Sequence, residues 1–266
     1  MKVVLFCGGL GTRLREHSDT IPKPLVCIGY RPIIWHLMRY YAHFGHKDFV
    51  LCLGFRGDMI KDYFVNYAES TSNDFVLSNG CRTIEPLQRD VEDWRITFVE
   101  TGLHSNIGER LLAVRRHLKG EDYFLANYSD ALSNLDLPTY LAAARKKDRI
   151  ASFIAVKPWQ TFHSIVARDD GIVTRFGTLQ ESGHWLNGGF FTLRGDIFDY
   201  LKAGEDLVEQ PFRRLIEAEQ LFTYRHTGFW ATMDTFKDKI TLDRMNGRGE
   251  TPWKVWENSQ DVPENV

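Results

Sequence analysis

Near the amino terminus, three glycines and two cations stand close together: Gly8, Gly9 and Gly11, then Thr12 and Arg13, and ten residues beyond Arg13 a lysine, Lys23, between Pro22 and Pro24. Glycine-rich backbone lets main-chain N–H groups approach a phosphate closely, and a guanidinium adds paired donors to its oxygens. Two prolines around one lysine stiffen the backbone that carries the ammonium. Chemistry of this kind grips a polyanion such as a triphosphate. Two aspartates in distant loops complete the set, Asp130 in Asn127-Tyr128-Ser129-Asp130 and Asp234 in Thr232-Met233-Asp234-Thr235. A carboxylate pair suits Mg²⁺, which keeps part of its coordination shell for water and substrate phosphates. Each aspartate taken singly also fits a plainer role, and Asp234 beside Thr235 would serve as a helix cap.

Competing motifs fit less well. A Walker A loop ends in Gly-Lys-Ser/Thr, which the glycine stretch lacks. The dinucleotide fingerprint needs a third glycine where Gly9-Leu10-Gly11-Thr12-Arg13-Leu14 has Leu14, which counts against an NAD(P)-dependent oxidoreductase. The formal net charge is −2, so no global basic field recruits nucleic acid. Trp35, Trp230 and Trp253 sit among apolar neighbours and read as core rather than as a stacking surface for bases. No run approaches the ~18 apolar residues of a membrane span, and the first residues lack the pattern of an export signal. The expectation is a cytoplasmic protein with no nucleic-acid or membrane partner. Cys7, Cys27, Cys52 and Cys81 show neither CxxC pairing nor zinc spacing and read as small buried hydrophobes.

The elements that must carry these residues alternate between strand and helix. Lys2 to Cys7, Asp48 to Leu53, Ile96 to Glu100, Tyr123 to Ala126, Ala151 to Val156 and Gly188 to Leu193 read as strands. Arg31 to Phe44, Met59 to Tyr67, Glu109 to Leu118 and a stretch after Pro138 have helical spacing. Ser164 to Ala167 and Ile172 to Phe176 form a hairpin around Asp169-Asp170-Gly171. Alternation of this kind implies an α/β fold with a mostly parallel sheet and helices on both faces. The glycine loop then follows the first strand, at the sheet edge where ligands bind. No linker divides the chain. It reads as one domain over residues 1–257, with a nucleotide half of about 1–135 and an acceptor side of about 136–235. Residues 258–266 read as a frayed tail.

With Pro22-Lys23-Pro24, the stretch from Gly8 to Leu14 resembles the signature of the sugar-phosphate nucleotidyltransferases. Pro32-Ile33-Ile34-Trp35-His36, Asn187-Gly188-Gly189-Phe190-Phe191, Gly228-Phe229-Trp230, Met233-Asp234-Thr235 and Pro252-Trp253-Lys254 are similar to the glucose-1-phosphate cytidylyltransferase branch. The resemblance runs in order from Met1 to about Glu257. It implies a Rossmann-like nucleotidyltransferase fold with a mixed, mostly parallel sheet. It also implies transfer of a nucleotidyl group from an NTP to a phosphorylated acceptor, with release of pyrophosphate. On that basis Arg13 and Lys23 neutralise the triphosphate, and Asp130 and Asp234 hold Mg²⁺. Gly8, Gly9, Gly11 and Thr12 contact the nucleotide, as do Ser105 and Arg110 from a second region. Asn187 and Gly188 line the acceptor side. CTP is favoured through the resemblance alone, with UTP and dTTP open, and a homo-oligomer is expected.

The chain departs from this pattern on the acceptor side. Where the family carries Glu-Lys-Pro after a strand, the sequence reads Arg175-Phe176-Gly177-Thr178-Leu179-Gln180-Glu181, without a lysine. The family's Arg-Phe-Gly-Ala-Leu-like loop is replaced by Gln160 to Ile165, and Val208-Glu209-Gln210-Pro211 stands for an acidic Glu-Gln-Glu-Pro. A phosphate that loses a cationic partner binds more weakly. Either Arg175, Lys157 or His163 compensates, or the acceptor differs from glucose 1-phosphate. The alternative is a non-catalytic nucleotide-binding regulatory protein with a degenerate acceptor site.

Overall fold

An opening strand that is apolar on both faces must lie inside a sheet covered on both sides. The computed structural model, which describes residues 1–9, 21–158 and 163–257, places it there. β1 (Val3–Phe6) is joined by β2 (Asp48–Leu53), β3 (Arg95–Glu100), β4 (Tyr123–Asn127), β5 (Ala151–Val156), β6 (Leu186–Arg194) and β7 (Leu221–His226). The order across this seven-stranded sheet is β7-β5-β6-β4-β1-β2-β3. Only β6 runs against the others. The α/β expectation therefore holds, with a mixed and mostly parallel sheet.

Its helices are α1 (Ile33–His43), α2 (Gly57–Val65), α3 (Ile107–Val114), α4 (Leu137–Lys147), α5 (Gln210–Glu217) and α6 (Phe236–Gly247). Side chains alternate along β1. Val3 and Leu5 join a core filled by α1 and α4, while Val4 and Phe6 join a core filled by α3 and α5. A third cluster, with Val26, Ile28, Ile33, Met233, Leu242 and Trp253, packs α6 against the segment that follows Lys23.

Several boundaries move for physical reasons. Arg31–Pro32 pairs with Cys27–Ile28 as a short ribbon, so α1 begins only at Ile33, behind a proline that suits a helix start. The helical stretch expected to reach Leu118 leaves α-geometry after Val114 and continues as a 3₁₀ turn, Arg115–Leu118. The hairpin His163–Ala167 with Val173–Thr178 turns on Gly171, whose φ is +85°. Strand β7 and two further ribbons, Phe75–Ser78 with Thr83–Pro86 and Ala131–Ser133 with Trp230–Thr232, were not expected. Cys7 and Cys52 are buried as read, but Cys27 and Cys81 are exposed. No helix among the described residues is long and apolar enough to cross a membrane.

Candidate active site

The carboxyl ends of the parallel strands share one edge of the sheet, and a cleft of about 270 Å³ opens there. Gly9, Lys23, Ile107, Tyr128, Asp130 and Asp234 are among its lining residues. Asp130 comes from the turn after β4. There Ser129 takes a left-handed φ of +66°, its hydroxyl donates to the Phe6 carbonyl at 2.8 Å, and its N–H donates to Asn127 Oδ1 at 3.3 Å. Asp234 is brought in by the short ribbon. Ala131 pairs with Thr232, and one residue further the Met233 N–H donates to the Asp130 carbonyl at 2.9 Å. The last rungs of that ribbon place the two carboxylates side by side. Asp234 is not the helix cap. Thr235 caps α6 in a reciprocal box with Asp238, which leaves the Asp234 carboxylate for the cleft.

Lys23 heads a 3₁₀ turn, Lys23–Leu25, behind Pro22 with Pro24 buried beneath it. Its ammonium donates to Asp130 Oδ2 and to Asp234 Oδ1, both at 2.7 Å. Burial alone would lower the Lys23 pKa, but the two carboxylates more than offset it and hold the group above its ordinary value, fully charged. Burial pushes the Asp130 carboxyl above its usual range against the pull of Lys23, and Asp234 adds to the push. Oxygens that share one ammonium are close enough to share one small divalent cation, and two carboxylates leave most of its shell to water and phosphate. Asp130 and Asp234 therefore fit a Mg²⁺ completed by substrate. No group of three or more His, Cys, Asp or Glu with metal-binding geometry exists among the described residues.

Gly11, Thr12 and Arg13 lie outside the described residues. Gly8 and Gly9 lie within them and differ in use. Gly9 is exposed on the cleft. Gly8 is buried, and a Cβ there would meet Arg110 Nη1 at 2.0 Å. Arg110 itself is placed differently from the nucleotide contact that the resemblance implies. It is 2% exposed, and its guanidinium donates to main-chain oxygens of Leu53, Gly102 and Gly8 and to Thr101 Oγ1, at 2.7–3.1 Å. Gly8 follows β1, Leu53 ends β2, and Thr101 and Gly102 follow β3, so Arg110 ties the ends of three neighbouring strands together. Ser105 likewise spends its hydroxyl on the Thr101 carbonyl at 2.5 Å and does not line the cleft.

At the positions expected to line the acceptor, Asn187 Nδ2 donates to the Tyr128 hydroxyl at 3.2 Å, and Asn187 Oδ1 accepts from the Gly189 N–H at 2.9 Å. Gly188 is pressed against β5, where a Cβ would come within 2.6 Å of Ile154, and its carbonyl accepts from Trp230 Nε1 at 2.9 Å. Tyr128, a cleft-lining residue that the reading of the sequence did not single out, links Asn187 to the cleft. Of the three cations weighed as substitutes for the missing lysine, Arg175 donates to the Glu181 carbonyl at 3.1 Å and His163 stacks on Phe176 at 5.1 Å. Lys157 lies over the Trp185 ring at 4.6 Å.

A family model described as nucleotidyl transferase matches residues 2–241. Over 258 residues the chain is 36% identical to a probable glucose-1-phosphate cytidylyltransferase of Bacillus subtilis (strain 168), across 96% of this chain and 100% of that one. It is also 36% identical to the glucose-1-phosphate cytidylyltransferase of Salmonella typhimurium, across 97% and 100% of the two chains. The solved UDP-glucose pyrophosphorylase from Acinetobacter baumanii shares the fold, with a TM-score of 0.68 at 18% identity over 97% of each chain. The glycine loop, the Pro22-Lys23-Pro24 turn and the paired aspartates thus stand in a chain that belongs to the nucleotidyl transferase family, as a sugar-phosphate nucleotidyltransferase.

Proposed function

We propose that the protein transfers a cytidylyl group from CTP to a sugar 1-phosphate, with Mg²⁺ as cofactor and pyrophosphate as the second product. The observation that carries this reading is the contact of Lys23 with both Asp130 and Asp234 at the mouth of one cleft. In the reaction an oxygen of the acceptor phosphate attacks the α-phosphorus of CTP, and the bond from that phosphorus to the oxygen bridging the β-phosphate breaks. The new bond is a phosphoanhydride and the leaving group is pyrophosphate, so atoms balance without a further reactant. The chain's task is to position and neutralise. Asp130 and Asp234 would hold Mg²⁺, which supplies positive charge to the phosphate oxygens when bound. Lys23 would then turn from the carboxylates to the phosphates. Gly9 offers backbone without a side chain in the way, and Arg110 keeps the three surrounding loops fixed.

CTP rather than another triphosphate is supported by the cytidylyltransferase relatives at 36% identity. A grid of CTP, UTP, dTTP and GTP against several sugar 1-phosphates, scored by product mass, tests the pairing. CTP products should dominate by at least tenfold, and a stronger product with another base would remove the CTP assignment. A homo-oligomer belongs to the same reading. It is supported by Phe75, Val76, Leu77 and Ile84, which the ribbon Phe75–Ser78 with Thr83–Pro86 leaves exposed. A solution mass of one chain by light scattering would remove it.

A further inference from the structure

At the acceptor edge of the sheet, two cations converge on one indole. Lys157 follows the last residue of β5, and Trp185 precedes the first residue of β6, where Val156 pairs with Leu186. The Lys157 ammonium lies 4.6 Å from the Trp185 ring centre and the Arg225 guanidinium 5.2 Å from it. Arg225 comes from β7, opposite Ala155, and Ala155 in turn lies opposite Asn187. Asn187 reaches Tyr128, which lines the cleft. A row of facing residues, Asn187, Ala155 and Arg225, therefore leads outward across β6, β5 and β7 from Tyr128, which follows β4 and lines the cleft.

Among the described residues, no ion pair joins Lys157 or Arg225 to a carboxylate. Contact with an aromatic face stabilises an exposed cation by only about 0.5–1 kcal/mol. Two like charges gathered on one ring also repel each other. The arrangement is complete only when an anion joins it. Adjacent strands are ~4.8 Å apart, so β7 stands roughly 14 Å from β4, the strand that leads to Asp130. One phosphate held by Lys23 and the aspartates does not cover that interval, whereas a sugar with a charged far end does once the long Lys157 and Arg225 side chains reach back over Trp185 to meet it.

We propose that the acceptor carries a second anionic group, a carboxylate or a further phosphate distal to the reacting one, held by Lys157 and Arg225 above Trp185. This rests on the transfer reaction proposed above and names its acceptor class. The indole offers a flat apolar wall for the sugar ring, and the two cations select the charge at its end. Such an acceptor would also explain why the chain manages without a lysine in Arg175 to Glu181.

Initial rates with CTP and Mg²⁺ on glucose 1-phosphate, glucuronic acid 1-phosphate and glucose 1,6-bisphosphate test the proposal. The expected result is a kcat/KM at least tenfold higher for one of the two doubly anionic acceptors, the choice between them separating carboxylate from phosphate. Lys157→Gln and Arg225→Gln should each pull that ratio towards one through the acceptor KM, with the KM for CTP held, and Lys157→Arg should keep the preference. Equal or better use of glucose 1-phosphate overturns the acceptor class while leaving the transfer reaction standing. A ratio unmoved by both Gln variants overturns the assignment to Lys157 and Arg225. Absence of product from every 1-phosphate overturns both the proposal and the reaction it rests on.

Discussion

Lys23 is the residue on which the site turns, because it neutralises two carboxylates that would otherwise repel each other. Removing charge at either end separates chemistry from folding. Asp234→Asn keeps the shape of the side chain and leaves Thr235 to cap α6, so the melting temperature should hardly move while turnover falls about 10²- to 10³-fold. A full Mg²⁺-dependent rate in that variant would place Asp234 outside the reaction. Lys23→Met should cut kcat to a similar degree, and the two carboxylates, now without their ammonium, should bind Mg²⁺ more tightly in the absence of nucleotide. Calorimetry that shows weaker or equal Mg²⁺ binding would contradict that balance. His36 sets a different pH limit. It is 2% exposed, with Nε2 3.3 Å from the Ile28 carbonyl oxygen that accepts from it. Burial, with Lys254 and Arg31 nearby, lowers its pKa to about 4. The unfolded chain takes up that proton near the ordinary histidine value of ~6.5, so stability is full above that pH and drains as pH falls towards about 4. The loss by pH 4 is on the order of 3 kcal/mol. Urea unfolding at several pH values should show His36→Gln with a flatter slope in that window, and an unchanged slope would exclude His36 as its source.

At the scale of elements, the paired aspartates depend on a ribbon of three residues per strand, Ala131–Ser133 with Trp230–Thr232. The two carboxylates could be nominated from the sequence, but their meeting could not be derived. A three-residue strand has no periodicity to read, and its partner lies far along the chain. Strand β7 was missed for a related reason. It is an edge strand, and Leu221-Phe222-Thr223-Tyr224-Arg225-His226 carries charge on a half-exposed face, so no apolar run announces it. The central strands were legible because both their faces are buried. Arg110 shows a limit of another kind. The resemblance implies a nucleotide contact at Arg110, and only its burial against the carbonyls of Gly8, Leu53 and Gly102 at the ends of β1, β2 and β3 reveals a strut. Arg110→Met should orphan several buried oxygens at about 1–3 kcal/mol each. At the low end, about 3 kcal/mol in all, the melting temperature should fall by roughly 6–12 °C, at about 2–4 °C per kcal/mol for a chain this long. A shift under about 2 °C with normal folding would show that the loops are held by other means. The Gly8 site gives the same test from the opposite side, since Gly8→Ala drives a methyl into that guanidinium.

Among the described residues, those assigned to the proposed chemistry gather along one edge of one sheet. β1 and β4 lead to the cleft of Lys23, Asp130 and Asp234, and β5, β6 and β7 extend it towards the side proposed for the acceptor, with Tyr128 and Asn187 at the join. With a net charge of only −2, the molecule has no long-range field for drawing in polyanions, so recognition falls to a few placed cations. Activity should then depend on salt through those few contacts, with a modest rise in the KM for CTP between low and physiological ionic strength. A steep loss of many decades would point to a broad basic surface that the chain does not have. Pyrophosphate release from CTP and a panel of sugar 1-phosphates, measured for the native protein and for Asp130→Asn and Asp234→Asn at saturating Mg²⁺, is the most direct test of the paired-aspartate centre. Release that is abolished by a chelator and reduced at least a hundredfold in both variants is the predicted result. Release that persists undiminished in either variant, or that needs no divalent cation, would contradict it.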